Sequence, residues 1–291
     1  MTGHVTVRGA RIRTHVTGDP AHPPVLLLHG LGRSLEDWAP QHTRLAGHRV
    51  ISVDMPGFGL SDRLPEPVTL DSLARGVEAT VAALGEDRPL HVMGNSLGGA
   101  VAMRMLVRDP DRIPTLTLVN SAGFGREVTV YLRVLAIPGV GRRMMRPLDR
   151  QAARRVERSL FVDRAHVTEE RVALAMQVAA RPHHAAVFLE AAKALGGLRG
   201  IRPAWRTELL TRVAELHRPT LVVWGERDLI LPAAHLAAAR TLLPHAETHL
   251  FPDTGHMPQI ERADEFAALA QRFLTAHAGP GRNRAGAEPL L

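Results

Sequence analysis

The segment with the most specific chemical reading is Gly94-Asn95-Ser96-Leu97-Gly98-Gly99. It follows the apolar run Leu90-His91-Val92-Met93 and precedes a run with helical spacing over 97–107. A G-x-S-x-G sequence between a strand and a helix is a nucleophile elbow: the serine stands on a tight, strained turn, and small residues at 94 and 98 let backbone and helix come close. A serine hydroxyl is a poor nucleophile at neutral pH. It needs an adjacent base, and the base needs an acceptor that fixes its tautomer and stabilises the imidazolium. Cysteine is absent, which excludes a thiolate nucleophile, disulfides and thiolate metal sites.

Of the sixteen histidines, His256 is singled out as the base by its place in a loop, Pro252-Asp253-Thr254-Gly255, directly after a strand-like run. His235, His245 and His249 read as surface or loop residues. For the acid, three carboxylates compete. Asp253 shares the loop of His256 and cannot easily approach the ring from the opposite side, and Glu226 fits only with a shorter turn. Asp228 is therefore preferred. No H-E-x-x-H or similar ligand spacing is present, so no metal or cofactor is expected.

These residues need a frame to hold them. Val5–Val7 and Ile12–Val16 read as short strands around a turn, and Val25–Leu28 is a continuous apolar run suited to a strand buried on both faces. Ser34-Leu35-Glu36-Asp37 has a capping-box pattern that predicts a helix start. Val50–Val53, a helix over 70–84, the strand at 90–93, the helix at 97–107 and the strand Leu116–Val119 then alternate. That order predicts an α/β fold with a mostly parallel central sheet flanked by helices. The alternation stops over 123–218, where helices are predicted at 127–137, 149–160, 168–180, 183–195 and 204–215. It resumes with strands at 220–224 and 247–251, a helix near 233–243 and a final apolar helix face at Phe266, Leu269, Ala270, Phe273 and Leu274. The expected organisation is a core of 1–122 and 219–278, an inserted helical cap at 123–218, and a disordered tail at 279–291.

The chain has 291 residues, 45% hydrophobic, with a formal charge of +7. Such basicity raises the question of nucleic acid. However, Lys193 is the only lysine, aromatic residues make up 4%, and no helix-turn-helix or zinc-finger pattern occurs, so nucleic-acid binding is not expected. Residues 124–218 hold 17 arginines and Lys193 against nine acidic residues, an excess of +9, so the basicity resides in the insertion. These arginines either attract an anionic substrate or membrane, or form the solvated faces of amphipathic helices. The interleaving of Arg154, Arg155 and Arg158 with Val156 and Leu160 favours the latter. No secretory leader and no apolar run of the roughly 18 residues that span a bilayer is seen. A cytoplasmic protein without membrane association is the expectation.

The chain resembles the α/β-hydrolase superfamily over residues 4–277. The resemblance is carried in order by His29-Gly30-Leu31-Gly32, Asp54-Met55-Pro56-Gly57-Phe58-Gly59-Leu60-Ser61, the elbow at Ser96, Gly225-Glu226-Arg227-Asp228 and Gly255-His256. It implies a triad of Ser96, Asp228 and His256, an oxyanion hole made by the N–H groups of Leu31 and Leu97, and a cap over the nucleophile that shapes the pocket. His29 reads as a brace for its loop. The alternative acid position of the family holds Asn120 and Ser121, so no acid is available there. A serine at the elbow disfavours dehalogenase and epoxide hydrolase chemistry, and the HGGG loop of some lipases is not matched. Hydrolases of carbon–carbon bonds in ring-fission products share the layout. They typically carry a glycine-richer oxyanion loop and a tryptophan after the histidine, where this chain has Leu31 and Met257. The implied activity is hydrolysis of a small or medium carboxylic ester through an acyl-enzyme. Carbon–carbon hydrolysis, thioester cleavage or acyl transfer, and a non-enzymatic ligand receptor or scaffold are the alternatives.

Overall fold

A computed structural model of the chain describes residues 2–137, 139–145 and 148–277. The predicted tail at 279–291 lies outside the described residues. The strands are β1 (Thr2–Val7), β2 (Ala10–Thr17), β3 (Pro24–Leu28), β4 (Arg49–Val53), β5 (His91–Asn95), β6 (Leu116–Val119), a two-stranded hairpin β7 (Gly196–Gly197) and β8 (Gly200–Ile201), β9 (Thr220–Gly225) and β10 (Glu247–Phe251). The helices are α1 (Ala39–His42), α2 (Leu70–Ala83), α3 (Leu97–Arg108), α4 (Val130–Leu135), α5 (Val140–Met144) and α6 (Arg150–Arg158). They continue with α7 (Glu169–Ala179), α8 (His184–Leu195), α9 (Pro203–Leu216), α10 (Ala234–Leu242), α11 (Pro258–Glu261) and α12 (Ala263–Ala276).

One eight-stranded sheet runs in the order β1-β2-β4-β3-β5-β6-β9-β10. The pairs β1–β2 and β2–β4 are antiparallel and the remaining pairs parallel. The two faces explain the continuous apolar runs. In β3, Leu26 and Leu28 pack in one core with residues of α2, α3 and α9, while Val25 and Leu27 point into the other core with Trp38, Phe266 and Phe273. A strand covered on both sides has no polar face to display. Truncation at such positions, Leu27→Ala for example, costs roughly 2–5 kcal/mol.

The helix start predicted at Ser34 is corrected by the structure. Leu35–Trp38 is a single 3-10 turn that runs into the four-residue α1, and Ser34 makes no side-chain cap. The Leu35 N–H instead donates to Asp54 Oδ1 at 2.7 Å, and the Ser34 hydroxyl donates to Glu36 Oε2 at 2.7 Å. A carboxylate just after β4 thus satisfies the first N–H of the turn, and the capping box does not form. A true capping box sits at α2, where Thr69 and Ser72 satisfy each other's backbone N–H groups. Two small features of the insertion, α5 and the β7–β8 hairpin, carry no sequence prediction.

The segment between β6 and β9 consists of α4–α9 and the small hairpin, with no strand of the main sheet. Among the described residues no helix is long and apolar enough to cross a membrane.

Helix α3 leaves β5 so abruptly that its first turn lies on the sheet backbone. A Cβ at Gly98 would come 2.3 Å from the Leu28 carbonyl oxygen, and one at Gly94 would come 2.3 Å from the Gly98 carbonyl oxygen. Neither neighbour is a side chain that could swing away. Gly98→Ala is expected to lower the free energy of unfolding by about 1–3 kcal/mol or to abolish folding, read from urea denaturation.

Candidate active site

Ser96 occupies the turn between β5 and α3 with φ 54° and ψ −115°. A non-glycine residue held in such a region costs on the order of 1–3 kcal/mol, and surrounding bonds must hold it there. Here the Ser96 N–H donates to the Val119 carbonyl at 3.0 Å, and the Ser96 carbonyl accepts from Gly99 and Ala122 at 3.1 and 3.0 Å. The end of β6 therefore pins the turn from one side while α3 begins on the other.

His256 follows β10 and is buried, with Nδ1 2.7 Å from Asp228 Oδ2. Four N–H donors converge on the Asp228 carboxylate. Oδ1 accepts from Ile230 and Leu231 at 2.7 and 3.1 Å, and Oδ2 accepts from Asn120 Nδ2 at 2.6 Å and from His256. The carboxylate accepts from Nδ1, so Nε2 is the ring nitrogen left with a lone pair. The Asn95 amide donates to the His256 carbonyl at 3.1 Å and to the Val119 carbonyl at 3.2 Å, tying the histidine loop to the elbow. The competing acids lie elsewhere. Asp253 is exposed and pairs with Arg227, and Glu226 accepts the Asp253 N–H. Of the other histidines, His235 is a buried residue of α10 rather than a surface one and pairs with Glu127, His245 lies beside His217 and His249 lies against Phe251.

The loop after β3 carries Leu31. Its brace is His29, fully buried, with Nδ1 2.8 Å from the Gly30 carbonyl and Nε2 accepting the Met55 N–H at 3.0 Å. Since Nε2 accepts, the proton resides on Nδ1 and the ring is neutral. Burial lowers its pKa to about 4, against the bond to Gly30. Among the described residues no acceptor engages the N–H of Leu31 or of Leu97, the first residue of α3. A helix-opening N–H has no partner inside its own helix and stays available.

Ser96 and Leu31 stand where two chambers meet. The larger, of about 210 Å³, is lined by His256, Tyr131, Met144, Leu160, Phe188 and Met257 among others. The smaller, of about 70 Å³, reaches past Leu97, Ala122, Leu195, Trp205 and Leu231 to the β7–β8 hairpin. Ser96 and His256 share the larger chamber without a hydrogen bond between them, as is common before substrate tightens a site. The described lining contributes two arginines. The Arg33 guanidinium is held by Asp37 and Glu157, and Arg133 Nε donates to the Leu198 carbonyl at 2.7 Å. Other arginines of the insertion pair away from the chambers, Arg150 and Arg154 with Glu169 and Arg181 with Asp62.

Sequence reasoning passed over Asn120 because it is no acid. Its signal was position: it follows β6 at a φ of 44° and reaches the very carboxylate that orients His256. It also passed over the pairing of Arg33 and Asp37 with Glu157 and Arg171, since partners more than a hundred residues apart leave no local spacing to detect.

With this sheet order, elbow and acid–histidine pair in place, the chain belongs to the family defined by the α/β hydrolase fold, whose family model matches residues 23–263. More particular relatives fall into two groups. The chain is 30% identical to the dihydrolipoyllysine-residue acetyltransferase component of the acetoin cleaving system of Pseudomonas putida, over 93% of this chain and 68% of that protein. It is also 30% identical to a 2-hydroxy-6-oxo-6-phenylhexa-2,4-dienoate hydrolase of Comamonas testosteroni, over 86% of this chain and 87% of that enzyme. Among solved structures, a meta-cleavage product hydrolase from Pseudomonas fluorescens IP01 superposes with a TM-score of 0.78 at 25% identity, covering 94% of this chain and 97% of that one.

The buried, neutral His29 makes stability depend on pH. An unfolded histidine takes up a proton near pH 6.5, whereas the folded one resists it until about pH 4, so its contribution is complete above 6.5 and lost as the pH falls toward 4. Between pH 7 and pH 5 this residue alone accounts for a loss of about 2 kcal/mol. Urea denaturation of wild type and His29→Gln at both pH values checks it: the variant is expected to be less stable at pH 7 and to show a drop smaller by about that amount.

Proposed function

We propose that this chain is a cofactor-independent serine hydrolase that cleaves an uncharged carboxylic ester of small or medium size. Ser96 attacks the carbonyl carbon, and His256 Nε2 takes the serine proton and returns it to the leaving alcohol. Asp228 holds the ring in the required tautomer, and the N–H groups of Leu31 and Leu97 bind the developing oxyanion. Water, deprotonated by the same histidine, then releases the acid from the acyl-enzyme. In this reading the segment 123–218 acts as a cap over Ser96.

The observation that carries the reading is the position of Ser96 at the meeting point of two apolar chambers. A carbonyl bound there has an apolar recess on either side, one for the acyl arm and one for the alkoxy arm. The similarity to the dienoate hydrolase of Comamonas testosteroni favours a second reading, hydrolysis of a carbon–carbon bond. A dienoate brings a carboxylate into the site. Among the described lining residues the arginines are Arg33, already paired with two acids, and Arg133, directed at Leu198, so neither guanidinium is free to meet it. Burying an unpaired carboxylate costs several kcal/mol, and this weighs toward a neutral substrate.

Three measurements test the reading. A fluorophosphonate is expected to label Ser96 in the wild type and not in Ser96→Ala; absence of the adduct would favour a receptor or scaffold role. Neutral nitrophenyl esters are expected to be hydrolysed, with kcat reduced about 10⁴-fold in Asp228→Asn by loss of the correct tautomer. Cleavage of a ring-fission dienoate faster than of any ester in the series would replace ester hydrolysis with the carbon–carbon reading.

A further inference from the structure

We infer that Glu157, in the helical insertion, is a positioning residue for catalysis: through Arg33 it holds the loop that presents the Leu31 N–H. The inference rests on the serine-hydrolase reading above.

Arg33 lies two residues beyond Leu31, and its N–H donates to the Gly30 carbonyl at 3.2 Å, closing the turn that contains Leu31. Its side chain is the centre of a buried quartet. Nε and Nη2 donate to the two Asp37 oxygens, each at 2.8 Å, and Nη1 donates to Glu157 Oε1. Arg171 of α7 closes the ring, with Nε 2.9 Å from Glu157 Oε2 and Nη2 2.9 Å from Asp37 Oδ1. The Asp37 and Glu157 side chains are 2% and 1% exposed, so solvent does little to replace a lost partner. Burial alone would raise the Asp37 pKa, but Arg33 and Arg171 overcome it and hold the carboxyl well below the usual carboxylate range.

The quartet holds two cations and two anions contributed by the loop after β3, the 3-10 turn, α6 and α7. Removing the Glu157 charge leaves two guanidinium groups facing the single carboxylate of Asp37. Their repulsion is relieved most simply by displacement of Arg33, and the turn around Leu31 moves with it. Continuing along the same stretch of the insertion, contacts reach the other half of the site. The Leu160 carbonyl accepts the His256 N–H at 2.8 Å. Glu261 Oε1 accepts the N–H groups of Val162 and Asp163 at 2.9 and 2.7 Å, while its other oxygen accepts that of Gly255 at 2.8 Å. Residues 157–163 therefore touch the oxyanion loop at one end and the histidine loop at the other. Phe188 of α8 adds a third contact, its ring lying against Gly32. The insertion is in this sense part of the reaction geometry as well as a wall of the chamber.

The test uses the full chain, with ester hydrolysis and fluorophosphonate labelling measured well below the Tm of each variant. Glu157→Gln keeps the size of the side chain and removes its charge. Its kcat is expected to fall about tenfold to a hundredfold with KM within about twofold, and the labelling rate is expected to fall in parallel, because a misplaced oxyanion donor harms the transition state more than substrate binding. Glu157→Asp, which keeps the charge at shorter reach, is expected to lie between the two. Should Glu157→Gln fail to fold, Arg33→Lys serves, since it keeps a cation but cannot span Asp37 and Glu157 together, and the same fall in kcat is expected. A folded variant with lowered Tm but wild-type kcat and labelling rate would overturn the inference, leaving Glu157 a purely structural clasp. A wild-type protein that is not labelled at all would overturn the hydrolase reading and this inference with it.

Discussion

The constraint on which the rest of this structure depends is the backbone conformation of Ser96. A serine held at positive φ between a strand and a helix is unfavourable by itself, and the chain supplies the conditions that hold it there. Gly94 and Gly98 let α3 start against the sheet, and Val119 at the end of β6 and Ala122 just beyond it hold the N–H and the carbonyl of Ser96. Parallel strands place all their C-terminal ends along one edge. The loops bearing Leu31, Ser96, Asp228 and His256 therefore converge, although they are spread over more than two hundred residues of sequence.

Polar groups are buried in this protein where they fix geometry. Asp228 is saturated by four donors, His29 is held neutral between a carbonyl and an N–H, and Asn95 and Asn120 each tie two elements together through side-chain hydrogen bonds. Each is costly to leave unpaired, and each therefore specifies one arrangement of the loops. The arginine-rich character of the insertion has the same physical sense in part. A guanidinium reaches two carboxylates with its rigid fork, as Arg33 and Arg171 do, where a lysine would meet them as a point charge.

Much of the frame was legible in the sequence because its signals are local. Buried strands such as Val25–Leu28 are short apolar runs, α2 and α3 show a one-sided apolar period, and the elbow is a contiguous hexapeptide. The places where reading failed have a common cause. At Ser34 the local pattern was right for a cap, but the Ser34 hydroxyl donates to Glu36 instead, and the first N–H of the turn, Leu35, is met by Asp54 from the loop after β4. Asn120 looked inert because its role is defined by Asp228, 108 positions away. The Arg33 quartet draws on three separate stretches of chain. The sequence count placed an excess of +9 in the insertion, yet only the fold tells which of those arginines face a carboxylate and which face water.

The insertion meets the site in two ways. Tyr131, Leu132 and Met144, on α4 and α5, form part of the chamber wall, whereas Glu157, Leu160 and Arg171, on and after α6, bond to the loops of the elbow side and the histidine. Leu160, which lines the chamber and accepts the His256 N–H, and Phe188, which lines it and lies against Gly32, join the two roles. Side-chain change at Tyr131 or Met144 therefore reshapes the chamber alone, whereas change at Phe188 reshapes it and disturbs the Gly32 turn together, so tolerance to sequence drift is uneven along the segment.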